Sequence, residues 1–590
     1  MAINKKKSEF FMVFMKAYPR IFKAALKDNL ILSTVDIFHG ISFAFIILAT
    51  EYFFNSVSNA GLYNGTLNKV LLMFLLLISA QLISQILNGI INFYSEVVRE
   101  KAYGELSIQI QNKISKINPI EFEKVERLND IEKANQGAVE ACNLVDTINS
   151  IFTFYVPYFS FIAFYMYSLK PILILSIIIV FIPVLISNFI RIPINESIEE
   201  KSAPLRREYA AYENSMVSME FFKETRILGA LNYFKTLYKD SIEKLNNNVW
   251  IGRKKEVIVE LFLNTLSLIA YGGILGMLVY FLLKGEITVG AFAATYASID
   301  TLFLLMDEIV KEGLGSVSKN LGMIKNFINL FDIEECKYST EKPRNNSIEL
   351  ENIDFTYPNS KKYSLKDISL QINNNEVIAI VGENGAGKST LAKIILGVYK
   401  PTSGKITVGG VDISKYNNKF VFEKISTVCQ NFQRFKMTLE DNIRISNYEL
   451  SEDVTKEIKD ISIKFNNKSI DEMKNITLSR EFDGIDLSGG QWQRIAIARG
   501  IYRRGSIIVL DEPTAAIDPI EESSLYNQFE KMSVDKTTII ITHRLGLTKI
   551  ADRIIVMKNG FVLEVGTHEQ LINNQGEYAK MWNCQSERYV

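Results

Sequence analysis

Several features that would assign this chain to a simple functional class are missing from its sequence. Its four cysteines lie far apart and include no CxxC pair, so neither a zinc site nor a disulfide framework is indicated. Basic and acidic residues number 66 each, and this balance removes any electrostatic argument for a nucleic-acid partner. The N-terminal stretch has only a short apolar run without a small-residue cleavage site, which does not fit a signal peptide.

What the sequence does contain is apolar residues concentrated in its first half. A chain of 590 residues exceeds what one hydrophobic core usually supports, so several domains are expected. The mean hydropathy of +0.09 is high for a chain with 22% charged residues. We therefore predict a membrane domain over residues 1–336, a polar linker over 337–347, and a second domain over 348–590.

The first half contains six segments that satisfy the requirement for crossing a membrane. A hydrocarbon layer of about 30 Å needs about 20 mostly apolar helical residues, because lipid offers no partners for backbone polar groups. The clearest segment is 171–190. The predicted all-α transmembrane domain has spans near 31–57, 68–94, 145–168, 171–192, 257–283 and 289–310.

The distribution of basic residues predicts the orientation. Lysine and arginine collect before the first span, between spans two and three, and between spans four and five, whereas the other connections are short and nearly free of them. Because basic residues mark the cytoplasmic side, we expect a multi-pass protein of the cell membrane with both termini in the cytoplasm. In the two long cytoplasmic connections, segments 119–130 and 220–234 fit either docking onto another domain or ordinary surface helices.

The second half alternates short β-rich runs with helices, a pattern that predicts an α/β domain. Its first functional motif is a glycine-rich loop. The apolar run EVIAIV leads into GENGAGKS and then into a helical segment, the context that a Walker A motif requires. Glycines let backbone N–H groups surround a polyphosphate, and a helix N-terminus favours the negative charge. Lys388 is predicted to neutralise the outer phosphates and Ser389 to bind Mg²⁺. The nucleotide-binding candidates in this loop are Gly382, Asn384, Gly385, Gly387, Lys388, Ser389 and Thr390.

Two adjacent carboxylates end another apolar run, SIIVLDE. Asp511 is suited to holding Mg²⁺ through water, and Glu512 to orienting and deprotonating the attacking water. The alternative for paired acids at a strand end is an ordinary solvated turn. The Walker A motif favours the catalytic interpretation.

The segment LSGGQ, residues 487–491, followed by the helical WQRIAIARG, completes a pattern that resembles ABC transporters, specifically half-transporters of the exporter type. The resemblance implies six membrane helices followed by one P-loop ATPase domain, with ATP and Mg²⁺ as cofactors. It further implies that Tyr357 stacks on adenine, Gln430 contacts the metal and nucleotide, Asp518 lies in the D-loop, and His543 is a catalytic switch histidine near the γ-phosphate. The signature residues that it implies at the nucleotide are Ser488, Gly489, Gly490 and Gln491. Each of these side chains seen alone would more often be structural.

The same resemblance implies that two copies act together. The signature of one subunit would bind the nucleotide held by Lys388 of the other, and segments 119–130 and 220–234 would be coupling helices. Because Glu512 and the signature are both intact, we expect a homodimer, and the alternative is the intact half of a heterodimer. Two departures from the family pattern are EFDGID before the signature and Ala515 in place of the usual D-loop serine.

Charged residues within the spans bear on the substrate. A carboxylate at the bilayer centre costs about 2.5–3.5 kcal/mol, so such residues normally face a cavity or a partner. Asp36, His39 and Asp300 are candidates for lining a substrate path, whereas Glu51 and the pair Asp307 and Glu308 fit the membrane interface. We expect export of an amphipathic peptide, drug or lipid, with a lipid flippase as the alternative. A soluble ABC ATPase would lack the spans.

Overall fold

A computed structural model describes residues 14–63, 67–218, 221–309, 313, 315–461, 469–513 and 519–586. The chain forms two compact units. The first comprises Met1–Ser115 and Asn129–Ile333, and the second comprises Lys116–Leu128 and Glu334–Val590. The short segment Lys116–Leu128, which lies between two predicted spans, therefore groups with the second unit.

The first unit is helical, and its longest helices exceed the thickness of a membrane. Helix Leu67–Ile114 has 48 residues, which at 1.5 Å per residue gives about 72 Å against about 30 Å of hydrocarbon. Among the residues that the structure describes, five helices are long and apolar enough to cross a membrane. The predicted span 171–192 lies mostly in helix Ile174–Val217, where many side chains are outside the described residues. The bounds are Leu26–Tyr63, Leu67–Ile114, Val125–Ser150, Val156–Leu169, Ile174–Val217, Phe222–Ile227, Leu231–Leu283, Val289–Asp307 and Gly315–Asp332, with short irregular turns at Pro119–Glu123, Ile151–Tyr155 and Pro171–Leu173.

Packing among these helices leaves large apolar side chains both inside and outside. Tyr158, Ile162 and Leu278 are buried in a common cluster. Leu75 and Phe93 on helix Leu67–Ile114 are more than half exposed. An outward apolar surface on helices of this length is expected where the solvent is lipid.

Polar residues of the predicted first span are paired within the chain. Asp36 is only 4% exposed and accepts a hydrogen bond of 3.1 Å from the Thr153 hydroxyl. His39 is buried and its ring stacks on Phe154 at a centroid distance of 4.9 Å. The expected lining role therefore does not fit Asp36 and His39 in this structure, since both side chains are buried against residues 153 and 154. Asp300 is exposed and remains a candidate.

The predicted interfacial acids differ in their surroundings. The Tyr165 hydroxyl donates to Glu51 Oε2 over 2.8 Å. Glu308 is exposed, whereas the side chain of Asp307 lies outside the described residues.

The second unit is built on a mainly parallel sheet. The strands are β1 Tyr338–Ser339, β2 Ile348–Phe355, β3 Leu365–Ile372, β4 Val377–Gly382, β5 Ser403–Val408, β6 Val411–Asp412, β7 Asn417–Asn418, β8 Ile425–Val428, β9 Ile507–Asp511, β10 Thr537–Ile541, β11 Arg553–Lys558 and β12 Phe561–Gly566. Six of them lie in the order β12-β11-β4-β10-β9-β8, in which β12 is antiparallel to β11 and the other neighbours are parallel. A four-stranded antiparallel sheet has the order β3-β2-β5-β6, and β1 pairs with β7.

The central strands are apolar on both faces because helices and the second sheet cover them. Residues of β4, β9 and β10 are almost fully buried. A helical unit followed by an α/β unit confirms the predicted fold class. The helices and turns of this unit are Lys388–Ile395, Lys419–Lys424, Leu439–Arg444, Thr455–Asp460, Ile470–Lys474, Arg480–Phe482, Gly489–Arg503, Pro519–Ser533, Leu545–Ile550, His568–Asn573 and Glu577–Ser586.

The two segments predicted to dock have different environments. In the turn Pro119–Glu123, Ile120 packs against the core of the second unit and the Tyr399 hydroxyl donates to Glu123. The helix Phe222–Ile227 of the other segment ends beside two strongly exposed apolar residues, Ile227 and Leu228. Residues 219 and 220 of that segment lie outside the described residues.

Candidate nucleotide-binding site

The glycine-rich loop connects β4 to helix Lys388–Ile395, and its glycines are required by close contacts. Gly387 has a φ of 99°, and a Cβ there would lie 2.7 Å from the carbonyl oxygen of Ser364. A Cβ on Gly382 would lie 2.2 Å from the carbonyl oxygen of Met557. A side chain fits at neither position, so both positions require glycine to let the loop pass close to the neighbouring backbone.

Lys388 is held within this loop. Its Nζ donates to the carbonyl oxygens of Gly382 over 2.8 Å and of Glu383 over 2.9 Å. The residue is only 6% exposed, and burial lowers the pKa of its amine, although Glu512 and Asp511 oppose that change. A buried cation that uses carbonyls as partners is well placed to exchange them for phosphate oxygens.

Asp511, at the end of β9, has the surroundings of a metal ligand. Its Oδ1 is buried and has no hydrogen-bond partner in the part of the chain that the structure describes. Burial, followed by the neighbouring charge of Glu512, raises the pKa of this carboxyl to about 6, while a hydrogen bond from Ser389 opposes the shift. An unpartnered buried carboxylate oxygen is costly unless a cation binds it, so Ser389, Asp511 and Gln430 fit a Mg²⁺ ion.

The Glu512 carboxylate contacts side chains from two distant segments of the chain. Its Oε2 accepts a hydrogen bond of 2.6 Å from Gln430 Nε2, and its Oε1 lies 3.2 Å from His543 Nδ1. Its φ of 50° places it in the left-handed region, which is unfavourable for a residue other than glycine and is retained where surrounding contacts fix it. The backbone conformation of Glu512 and these two side chains together restrict the orientation of its carboxylate.

A cavity of about 480 Å³ contains most of the predicted loop residues together with Gln430 and Glu512, a volume typical of small-ligand sites. Several of its wall residues were not singled out from the sequence. Among them, Tyr363 is half exposed. The additional wall residues are Ser360, Lys362, Tyr363, Ser364, Asn559 and Gly560.

A second cavity, of about 400 Å³, shares part of this wall. Asn384, Gln430 and Glu512 line both cavities. His543 lines the second cavity, and so does Gln585 from the last described helix. Sequence patterns offered no indication of Gln585, because it belongs to no motif.

The remaining predicted residues that the structure describes do not line either cavity. Tyr357 packs edge-on against Phe355 and Tyr399, and its hydroxyl is 3.2 Å from that of Thr390. Ser488 caps helix Gly489–Arg503, because its hydroxyl oxygen accepts from the N–H of Gln491 while the Ser488 N–H donates to the side-chain oxygen of Gln491. Gly490 belongs to the first turn of that helix. Asp518 and Ala515 lie outside the described residues.

A P-loop between a parallel strand and a helix, with paired carboxylates at the end of another strand of the same sheet, defines a P-loop nucleotide-hydrolysing domain. Residues 365–515 match the family described as ABC transporter. The match shows that this part of the chain is an ABC transporter ATPase domain, and the helical unit that precedes it gives the domain order of ABC exporters. This domain order is that of ATPase-coupled transport, with ATP binding in the second unit and several helices of the first unit able to span a membrane.

Similarity to known proteins extends over nearly the whole chain. The subtilin transport ATP-binding protein SpaT of Bacillus subtilis is 29% identical, over 98% of this chain and 95% of that protein. The nisin transport ATP-binding protein NisT of Lactococcus lactis subsp. lactis is 27% identical, over 92% of each. A solved structure of a bacterial Atm1-family ABC exporter with ATP bound has a TM-score of 0.79 and 20% identity, covering 95% of this chain and 98% of that chain. This likeness supports the fold.

Proposed function

We propose that this chain forms a homodimer in the cell membrane that hydrolyses ATP to export an amphipathic peptide. Its ATPase domain and both termini would lie in the cytoplasm. The observation that carries the catalytic part of the proposal is the convergence of Gln430 and His543 on the Glu512 carboxylate beside the Lys388 loop. The orientation is supported by the basic residues between the spans.

The reaction proposed is attack of water on the γ-phosphate of ATP, which breaks the bond to the β-phosphate oxygen and releases ADP and phosphate. Glu512 acts as the general base, and its carboxylate is held for that role by the hydrogen bond from Gln430 and by His543 Nδ1 3.2 Å from its other oxygen. Lys388 neutralises the phosphates, and His543, next to Glu512, stabilises the charge that develops on the γ-phosphate.

Mg²⁺ would be held by Ser389, Gln430 and Asp511. When bound, such an ion would help to neutralise the phosphate charge. The support on the protein side is the unpartnered Oδ1 of Asp511. Gln430 would then contact both the metal site and the general base.

Two copies of the chain would complete each site. Ser488 and Gly490 are absent from the walls of the described cavities, although the N-terminus of helix Gly489–Arg503 is capped and well formed. A helix N-terminus favours an anionic ligand. We infer that this end binds the γ-phosphate of the nucleotide held by Lys388 of the partner subunit.

The substrate class is supported by two relatives and by one helix. SpaT and NisT are named for the transport of subtilin and nisin, and they match this chain almost from end to end. On the apolar helix Val289–Asp307, Tyr296 and Asp300 are exposed one turn apart. An exposed carboxylate on a membrane helix is costly against lipid, so it favours a water-filled path that would accept a cationic amphipathic substrate.

Reconstitution of the full chain in liposomes tests this function. ATPase activity is measured with nisin, with cationic dyes and with liposomes of varied lipid composition, using Lys388→Ala as the inactive control. Stimulation by nisin above the basal rate supports peptide export. Stimulation by lipid composition alone would replace it with lipid flipping, and a rate equal to that of Lys388→Ala in every condition would contradict ATP-driven transport.

A further inference from the structure

The last described helix, Glu577–Ser586, reaches the proposed catalytic residues. Its Gln585 borders the second cavity together with His543 and Glu512. The Gln585 side chain makes two hydrogen bonds to the backbone on either side of Arg544. Its Oε1 accepts from the N–H of Leu545 over 3.0 Å, and its Nε2 donates to the carbonyl oxygen of His543.

This helix is firmly attached to the ATPase unit through one face. Tyr578 is fully buried, and Met581 and Trp582 pack against the same cluster. The Tyr578 hydroxyl lies 2.8 Å from the Thr548 hydroxyl and 2.8 Å from His568 Nδ1. Since positions 578, 581, 582 and 585 share one helix face, this attachment also fixes the direction of Gln585.

Thr542 also restrains the backbone around His543, and its hydroxyl lies 3.2 Å from the carbonyl oxygen of Arg544. The Thr542 N–H donates to the carbonyl oxygen of Ile380 over 3.2 Å, and the Thr542 hydroxyl accepts from the Arg544 N–H over 2.9 Å. The His543 side chain itself is half exposed, with Glu512 Oε1 at 3.2 Å. The direction of its imidazole therefore depends on how its own backbone is held.

We propose that Gln585 is a positioning residue for His543. The Gln585 amide binds both the carbonyl group of His543 and the N–H of Leu545. In this way it fixes the position of the His543 imidazole relative to the Glu512 carboxylate. This inference rests on the proposed role of His543 in hydrolysis. It adds the C-terminal helix to the machinery that determines the turnover rate.

The test replaces Gln585 by methionine, which keeps the length of the side chain and removes both hydrogen bonds. The matched control is Cys584→Ala on the exposed side of the same helix. With the full chain in liposomes, kcat is expected to fall about 10-fold in Gln585→Met, while KM for ATP changes by less than about twofold, since only transition-state positioning is lost. The melting temperature should fall only slightly below that of Cys584→Ala, because Gln585 is only partly buried. Gln585→Glu keeps the acceptor for Leu545 and loses the donor to His543, so its kcat should lie between those of the wild type and Gln585→Met.

A double variant separates positioning from a purely structural role. If Gln585 acts through His543, adding Gln585→Met to His543→Ala should leave the residual rate within about twofold. A full further loss in that background would overturn the inference. So would a kcat of Gln585→Met equal to that of Cys584→Ala, or a parallel fall of melting temperature and rise of KM. A wild-type chain without ATPase activity would instead refute the proposed function itself.

Discussion

Replacing the proposed general base gives the most direct prediction about hydrolysis. Glu512→Gln preserves the shape of a side chain that receives Gln430 Nε2 at 2.6 Å and lies 3.2 Å from His543 Nδ1. The amide cannot take a proton from water, so kcat should fall by about 10²–10⁴, which is about 3–5 kcal/mol of activation free energy. Binding of ATP should be nearly unchanged, within about threefold in Kd or about 0.7 kcal/mol, because the loop residues and Lys388 remain.

The assay measures phosphate release and ATP binding on the same preparation. Glu530→Gln is a suitable control, because Glu530 is an exposed glutamate of the same domain and should retain full activity. If Glu512→Gln kept more than about one third of the wild-type rate, the general-base assignment would be refuted. If it lost ATP binding together with turnover, Glu512 would have a binding role instead.

Four further predictions concern metal binding, stability and assembly. Asp511→Asn should raise the Mg²⁺ concentration needed for half-maximal ATPase activity at least about 10-fold, because a charged ligand is lost, and an unchanged Mg²⁺ titration would argue against the proposed ligand set. Tyr578→Phe should lower the unfolding free energy by about 1–3 kcal/mol, since its buried hydroxyl has two partners, whereas Tyr448→Phe at an exposed position should change the melting temperature little. Burial lowers the pKa of Lys400 from 10.5 to about 8, so the folded chain binds this proton less tightly than the unfolded chain. Stability should therefore rise from pH 8 to 10 and be lost as pH falls toward 8, and Lys400→Met should flatten this slope in melting curves. Native mass spectrometry should find two chains of 67.2 kDa, and a stoichiometric partner of different mass would contradict the homodimer.

The sequence was most informative where local pattern and chemistry coincide. The run before Gly382 is apolar because β4 is buried between neighbouring strands, and the following glycines are needed where the loop passes Met557 and Ser364. In the same way, the pair Asp511 and Glu512 comes at the end of β9, whose apolar residues are buried. Such features require only short-range information, and the fold class followed from them and from the apolar spans.

Other parts of the site depend on long-range packing that periodicity does not encode. Gln430 approaches Glu512 from another strand end, and its role came from family resemblance rather than from its neighbours in sequence. Tyr363 and Gln585 border the cavities without belonging to a recognised motif. Asp36 and His39 were expected to face a path, but hydropathy does not indicate which helix will cover a given side chain.

The central claim is that each ATP is clamped between two copies of this chain. A structure of the Glu512→Gln variant in lipid with Mg²⁺ and ATP tests it most directly. The account predicts that Ser488 and Gly490 lie within hydrogen-bond distance of the γ-phosphate held by Lys388 of the partner subunit. A γ-phosphate that instead faced solvent, with the signature segment of both copies remote from it, would contradict the account.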